Sequence, residues 1–204
     1  AIGRYSMDPA ASLRIGCLVM AAGNASRFGA NKLAAELDGR TLIERALDAV
    51  PKGMFAAVCV ASQYEGIEEL AGKYGFAAIH NAHPDWGLSY TIRLGTQAMR
   101  ACDGILYLVA DQPLLRRDSV QRIAEAWLRT PEKIAGASHE GRRGNPNLFP
   151  ARFFPELLAL EGDCGGNLVI KRHTEDYLPV ELAPEELRDC DTPQELAALR
   201  IQAE

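Results

Sequence analysis

The sequence predicts an α/β fold, a three-layer sandwich in which helices cover both faces of a mostly parallel β-sheet. Short apolar runs alternate with amphipathic stretches from residue 15 almost to the end of the chain. The runs at 15–20, 57–61 and 104–109 are apolar on both faces, which is typical of strands that are buried between two helical layers. The chain has 204 residues without an internal repeat or a linker, so one domain accommodates all of these elements.

The first predicted strand covers residues 15–20 (IGCLVM), and a loop with two glycines follows it. The first helix, 41–50, has apolar residues at helical spacing, with Thr41 as its N-cap and Glu44 in the capping-box position. Further strands are expected over residues 57–61, 77–80 and 104–109, and further helices over 65–74, 89–100 and 118–129, the last capped by Asp118.

The pattern is looser after residue 130. It predicts strands at 134–138 and 147–149 around a polar turn at 140–144, an extended segment at 177–182, and helices at 150–160, 166–173 and 193–200. We expect residues 15–204 to form a single domain. Residues 1–14 are expected to be an N-terminal tail, partly foreign to the natural protein, with Met7 as the natural start.

Composition argues against several classes of protein. The net charge is -5 and the 22 basic residues are scattered, so the sequence does not favour a nucleic-acid surface. No apolar run approaches the ~18 residues of a membrane span. The five cysteines are widely spaced without a Cys-x-x-Cys pair, which predicts reduced thiols in a cytoplasmic protein. The four histidines lack metal-ligand spacing, and we expect them to be surface or turn residues.

The loop after the first strand, residues 21–32 (AAGNASRFGANK), combines small residues with two cations. Its first three residues, which let backbone approach a base or a phosphate closely, are Ala21, Ala22 and Gly23. Arg27 and Lys32 supply positive charge, and such a loop suits a polyphosphate. It is not a P-loop, because Leu33 follows Lys32 where that motif needs Ser or Thr. The alternative is an ordinary strand-to-helix turn with solvated cations.

Two aspartates are candidate metal ligands. Asp111 lies just beyond the strand predicted at 104–109, where a carboxylate can meet a hard cation at the ligand-binding edge of the sheet. Asp191 lies in the run DCDTPQEL at the start of the last helix. Each also has a simpler interpretation: Asp111 can cap the following turn, and Asp191 or Thr192 can cap the helix.

The run 18–32 resembles the signature L-A-A-G-x-S-x-R-M-G-x-x-K of the NTP transferase superfamily that includes the molybdenum cofactor cytidylyltransferases. Gly23, Arg27, Gly29 and Lys32 fall in register with it. The resemblance implies a Rossmann-like nucleotidyltransferase fold in which the backbone at the start of the loop faces the base. Arg27 and Lys32 would then bind the triphosphate.

The same resemblance extends to the two aspartates. The loop ADQP resembles the family's G-D-Q-P, which implies that Asp111 binds magnesium. DCDTPQEL resembles D-I-D-T-P-E-D-L, whose second aspartate, here Asp191, contributes to the metal site. Asp189 is the weaker candidate ligand.

Residues 81–95 (NAHPDWGLSYTIRLG) resemble the family's N-P-x-x-x-x-G-x-x-x-S-L-R-x-G. Ser89 and Arg93 lie near the start of a predicted helix and are candidates for nucleotide binding. The alternative is a serine-capped helix with an exposed arginine.

Two further patches, RRGNPNLF and GDCGGN, resemble the acceptor side of the family's site. They make Asn145, Gly162 and Asp163 candidate acceptor-binding residues. Asn145 stands where the family has histidine, and Asn167 where it has arginine.

By this resemblance the chain is a magnesium-dependent enzyme that transfers CMP from CTP to molybdenum-bearing molybdopterin and releases pyrophosphate. The product would be a cytosine dinucleotide cofactor for a molybdenum hydroxylase. Ala22 stands where the guanylyl branch tends to have glycine, which favours cytosine. The alternatives are a guanylyltransferase of the same family, a transferase that acts on a sugar or alcohol phosphate, and a non-catalytic cofactor-binding protein.

Overall fold

The structure, a computed structural model, describes residues 12–23 and 31–201. The strands are β1 (Ile15–Ala21), β2 (Glu36–Leu37), β3 (Arg40–Thr41), β4 (Ala57–Ser62), β5 (Ala77–His80), β6 (Gly104–Val109), β7 (Ile134–His139), β8 (Arg142–Pro150) and β9 (Tyr177–Glu181). The α-helices are α1 (Leu42–Asp48), α2 (Glu65–Lys73), α3 (Leu88–Ala98), α4 (Arg117–Arg129), α5 (Phe154–Leu158), α6 (Asn167–Arg172) and α7 (Pro193–Ile201).

Seven strands form the main sheet, in the order β5-β4-β1-β6-β8-β7-β9. Only β8 runs antiparallel to its neighbours among these strands; the other pairs are parallel. The prediction of a mostly parallel sheet between helices is therefore confirmed. Since β1 lies between β4 and β6, the loops that follow these three strands meet at one edge of the sheet.

The side chains of β1 alternate between two cores. Cys17 and Val19 belong to the core that contains α1, α2, α4 and α7, whereas Leu18 belongs to the core of α3, α5 and α6. All three side chains are completely buried. This two-sided burial explains why the strand is apolar at every position, and truncating a leucine in such a place costs about 2–5 kcal/mol of stability.

Helix α3 lies unusually close to β1 because Gly95 has no side chain. A Cβ atom on Gly95 would lie only 2.3 Å from Cδ2 of Leu18. The helix connects two parallel strands, β5 and β6, and therefore runs opposite to them. The close packing thus fixes the first turn of α3 at the carboxyl edge of the sheet.

The capping box predicted for the first helix is confirmed. The backbone N–H of Glu44 donates to Oγ1 of Thr41 over 3.2 Å, and the N–H of Thr41 donates to Oε2 of Glu44 over 2.8 Å. The cap predicted for Asp118 is wrong: Arg116 occupies the N-cap position of α4, and Asp118 lies in the first turn.

Other differences between the predicted and the observed elements concern their length. The short hairpin β2–β3 was not predicted, because each of its strands has only two residues. The strand expected at 147–149 is the longer β8, and the turn before it is reduced to Glu140 and Gly141, both with positive φ. The helix expected at 150–160 is a 3₁₀ turn, Ala151–Phe153, followed by the short α5.

All five cysteines are free thiols. Among the helices of residues 12–23 and 31–201, none combines the length and the apolar character that crossing a bilayer would require.

Candidate active site

A cavity of about 590 Å³ opens at the carboxyl edge of the sheet. It is lined by the loops after β1 and β6, the segment before α3, and single residues from later loops. The lining residues are 20–23, 32, 33, 84–88, 91, 109–111, 162, 163 and 191. The volume lies in the range of small-molecule sites, which makes this cavity the candidate active site.

Lys32 lies between the two predicted metal ligands. Its Nζ donates to Oδ2 of Asp111 over 3.1 Å and to Oδ1 of Asp191 over 2.8 Å. Partial burial disfavours the ammonium, but the hydrogen bonds and charges of Asp191 and Asp111 outweigh this and raise the pKa of Lys32. Lys32 is therefore a fixed positive charge that brings both carboxylates to one point.

The loops that carry the two aspartates are joined through their backbones. The N–H of Cys190 donates to the carbonyl oxygen of Asp111 over 2.8 Å. At the start of α7, Thr192 is the residue whose side chain accepts a backbone bond, from the N–H of Glu195 over 3.1 Å. Asp191 directs its carboxylate to Lys32 instead, so helix capping does not account for it.

Asp189 lies in the same electrostatic environment. Loss of hydration, followed by repulsion from Asp111 and Asp191, raises its pKa to about 6, although its side chain keeps contact with solvent. A carboxylate whose charge is disfavoured by neighbouring carboxylates is typical of a site that receives a cation.

The small residues after β1 form one wall of the cavity. Ala21 and Ala22 are buried, and Gly23 is exposed. The side-chain amide of Gln63 donates to the carbonyl oxygens of Ala22 and Gly23, over 3.3 and 3.5 Å. Gln63 thus holds the loop from the β4 side, a role that no sequence motif indicated. Arg27 lies outside the described residues.

The segment before α3 is joined to the loop at 162–163. Gly87 has a φ of 86°, and a Cβ there would lie 2.5 Å from the carbonyl oxygen of Gly162. The backbone N–H of Leu88 donates to Oδ1 of Asp163 over 3.3 Å, and that of Ser89 donates to the oxygen of Gly162, also over 3.3 Å. Two candidate acceptor residues, Gly162 and Asp163, therefore line the cavity as part of this junction.

The structure does not bring the other candidates to the cavity wall. Ser89 is completely buried, and its Oγ lacks a hydrogen-bond partner within the part of the chain that the structure describes. Arg93 lies one turn further along α3, with its guanidinium 5.5 Å from the centre of the Tyr90 ring. Asn145, on β8, accepts a bond at its carbonyl oxygen from Nε2 of Gln112 over 3.2 Å.

Trp86 lines the cavity at the junction before α3, although sequence reasoning did not single it out. Its side chain is stacked on the His83 ring, with centroids 3.7 Å apart and planes at 5°. Its place between Pro84 and Gly87 marks a turn in the sequence, but the sequence does not show that the indole is exposed in the cavity.

The sequence is similar to a known protein family and to a known protein. The family described as "MobA-like NTP transferase domain" matches residues 17–177. The purine catabolism protein PucB of Bacillus subtilis is 28% identical over 194 residues, which cover 89% of this chain and 93% of PucB.

Two solved structures have the same architecture. A nucleotidyl transferase from Methanothermobacter has a TM-score of 0.75 at 22% identity, with 93% of this chain and 97% of that chain covered. A Mycobacterium tuberculosis protein in complex with manganese has a TM-score of 0.74 at 19% identity, covering 92% of this chain and 98% of that chain.

Proposed function

Because the chain belongs to the family of MobA-like NTP transferase domains, we propose that it transfers CMP from CTP to the phosphate of molybdenum-bearing molybdopterin and releases pyrophosphate. Family membership identifies a nucleotidyltransferase. The choice of CTP, the requirement for magnesium, the molybdopterin acceptor and delivery of the product to a molybdenum hydroxylase are our proposals.

The observation that carries the proposal is the convergence of Asp111 and Asp191 on one cation, Lys32, inside the cavity. The backbone of Ala22 and Gly23 lies in the wall of the same cavity. Nucleotidyl transfer needs positive charge beside the phosphates, and backbone groups in the same cavity can recognise the base. A protein that only bound the product would not need the pair of carboxylates.

Magnesium fits this donor set. Carboxylate oxygens are the ligands that it prefers, and oxygens of Asp111 and Asp191 already lie within 3.1 Å of one positively charged atom. These two residues would hold the ion, with Asp189 beside them. When bound, magnesium would supply positive charge to the triphosphate. The similar mycobacterial protein was solved in complex with manganese, which supports a divalent cation as a ligand of this chain as well.

The chemistry is an in-line displacement at the α-phosphorus of CTP. A phosphate oxygen of the acceptor forms the new bond, the bond to the β-phosphate oxygen breaks, and pyrophosphate leaves. The attacking phosphate is already ionised at neutral pH, so no side chain needs to remove a proton. The protein contributes position and charge. We assign Lys32 and Arg27 to the triphosphate, where they stabilise charge that accumulates on the departing pyrophosphate.

The base is assigned to the loop after β1. Its first three residues, Ala21, Ala22 and Gly23, have only small side chains, so backbone groups must recognise the base edge, and Gln63 keeps those groups in place. A wrong base leaves buried polar groups unpaired, which gives stronger discrimination than an apolar pocket does. Ser89 and Arg93 stay candidates for nucleotide binding.

The acceptor is assigned to the side of the cavity formed by Gly162 and Asp163, with Asn145 as a further candidate. The test is pyrophosphate release from each of the four triphosphates, with and without molybdenum cofactor. We expect release from CTP when the cofactor is present. Preference for GTP would contradict the choice of nucleotide, and pyrophosphate release that the cofactor does not increase would contradict the choice of acceptor. Absence of release under every condition would overturn the proposed function.

A further inference from the structure

Trp86 is the most exposed of the large apolar side chains in the described part of the chain. It is 49% exposed, whereas the next, Leu128, Leu13 and Leu168, are 40%, 39% and 36% exposed. The other tryptophan, Trp127, is 1% exposed and belongs to the core. Trp86 differs from the three leucines because it lines the candidate active site. The exposed indole therefore lies where a bound ligand would cover it.

The indole of Trp86 is held in one orientation. It ends the 3₁₀ turn Pro84–Trp86, and His83 lies flat against it at 3.7 Å. The centre of the Tyr90 ring lies 4.9 Å from that of the indole, with the two planes at 67°. A large flat surface that is already ordered loses little conformational entropy when a ligand stacks on it.

The position of Trp86 associates it with the acceptor side of the cavity. The next residue, Gly87, packs directly on Gly162, and the N–H of Leu88 is bonded to Asp163. These contacts join the turn that carries Trp86 to the loop at 162–163, which is assigned to the acceptor. The loop assigned to the base is held from β4, by Gln63.

We propose that Trp86 is a stacking platform for a planar heteroaromatic ring on the phosphorylated acceptor. This inference rests on the proposed function and narrows it, because it selects an acceptor with a fused flat ring over a sugar or alcohol phosphate. A planar ring can lie parallel to the whole indole face, whereas a puckered sugar ring meets that face only through the C–H groups of one side. Stacking selects a ligand by the shape of its ring and tolerates substituents on that ring. Trp86 would therefore recognise the ring of the acceptor, and other groups of the site would recognise its phosphate.

The test is calorimetric titration with 6-hydroxymethylpterin phosphate, a flat-ring phosphate, and with ribose 5-phosphate, each in the presence of magnesium and α,β-methylene-CTP. We expect Trp86→Ala to weaken binding of the pterin phosphate about 10-fold or more, the size typical of losing one aromatic stacking contact. Trp86→Phe should retain most of the affinity. Ribose 5-phosphate should bind equally to both variants, and Leu128→Ala, which removes an exposed apolar side chain elsewhere, should behave as the parent.

The outcomes separate this inference from the proposed function. Equal binding of the pterin phosphate to the parent and to Trp86→Ala, or no binding to the parent, overturns the platform even if CTP is turned over. A loss of affinity for α,β-methylene-CTP alone would place the base on Trp86 and also overturns it. Absence of pyrophosphate release from every triphosphate, with pterin binding still dependent on Trp86, overturns the proposed function instead. Circular dichroism of each variant shows that it is folded.

Discussion

Lys32, Asp111 and Asp191 come from three loops that are far apart in the chain. The two ion pairs join residues separated by 79 and 159 positions. An ammonium that pairs with two carboxylates in a half-enclosed site is stabilised by charge and hydrogen bonds together. These three residues are therefore the part of the molecule where single substitutions should separate catalysis from folding.

We expect Asp111→Asn to lower turnover by at least about 100-fold while the protein remains folded. Losing a metal ligand should remove several kcal/mol of transition-state stabilisation, and each 1.4 kcal/mol is about tenfold in rate. Steady-state pyrophosphate release measures the effect, with Asp118→Asn on the surface of α4 as the control. Near-normal turnover of the folded Asp111 variant at saturating magnesium would contradict the site assignment.

Ala22 should contribute to the choice of base. We expect turnover of CTP to exceed that of GTP by at least ~10-fold, equivalent to about 1.4 kcal/mol, because the Ala22 methyl limits the space for a purine. Ala22→Gly should narrow the ratio, whereas Ala21→Gly, which adds similar backbone freedom, should change it less. Steady-state kinetics with both nucleotides decide this. A parent enzyme that prefers GTP would rule out the cytidylyl assignment and leave the nucleotidyltransferase one in place.

Asp189 should destabilise the metal-free protein at neutral pH. Its pKa is raised to about 6 by lost hydration and by Asp111 and Asp191, so the folded protein binds its proton more tightly than the unfolded chain does. The resulting stabilisation is present at low pH and is lost as pH rises through about 6. Asp189→Asn should therefore raise the Tm at about pH 7.5 and change it little at about pH 4. Thermal melts without metal measure this, and an equal shift at both pH values would contradict it.

Which residues could be found from sequence depended on whether a local motif marked them. Lys32 and Asp111 stand in runs whose residue types suit phosphate and metal, so they were identified before their contact was known. Gln63 acts through one amide on the backbone of another loop, and no short pattern encodes such a contact. Trp86 could be identified only from the structure, because the sequence does not show that its side chain is exposed in the cavity.

At the scale of secondary structure, α3 is positioned by two glycines with different roles. Gly95 lets the helix approach Leu18 of β1, and Gly87 lets the segment before the helix contact Gly162. The first contact fixes the helix against the sheet, and the second joins it to the loop at 162–163. The geometry of the site therefore depends on this helix as a whole.

We expect Gly95→Ala to reduce the free energy of unfolding by about 1–3 kcal/mol, because the added methyl overlaps the completely buried Leu18. Gly72→Ala in α2 is the matched control. No described atom lies within 4 Å of a Cβ there, so helix propensity alone should stabilise the protein by about 0.5–1 kcal/mol. Urea denaturation of both variants measures the difference. Equal stabilisation by the two substitutions would show that α3 does not need the close approach.

Helices and strands with a strong apolar period could be predicted from the sequence. Elements that depend on contacts with other segments of the chain could not. The first helix has a complete capping box, and its start at Leu42 follows from it. In α4 the expected cap at Asp118 was two residues late, since the helix begins at Arg117. The hairpin of β2 and β3 has two residues in each strand, too few for an alternating pattern.

For the whole molecule, sequence predicted the layers and the mostly parallel sheet but not the order of its strands. Strands apolar on both sides are buried wherever they lie in the sheet, so the pattern does not distinguish neighbours. The antiparallel β8 between β6 and β7 is the clearest example. It pairs with β7 through the two-residue turn at Glu140 and Gly141. The polar stretch at 140–144 predicted a turn here but not its length.

Binding should stabilise the whole fold, since the cavity is formed by loops from both halves of the chain. With magnesium and CTP at about 100 times the dissociation constant, we expect a gain of about 2.7 kcal/mol. For a chain of this size that gain corresponds to a rise in Tm of roughly 5–10 °C. Thermal shift assays measure it, and Asp111→Asn should lose most of the effect. A full shift in that variant would mean that the nucleotide binds elsewhere.

The ammonium group between Asp111 and Asp191 gives the site the character of an ion exchanger. Without ligand, Lys32 offsets one of the two negative charges, and by pairing with both carboxylates it reduces the repulsion between them. An incoming divalent cation must compete with this internal counter-ion, so its affinity is lower than two bare carboxylates would give. The displaced Lys32 would then be available to a triphosphate. A bound triphosphate that draws Lys32 away from the aspartates would raise the affinity of the site for the cation, and by thermodynamic reciprocity the bound cation would raise the affinity for the triphosphate by the same factor.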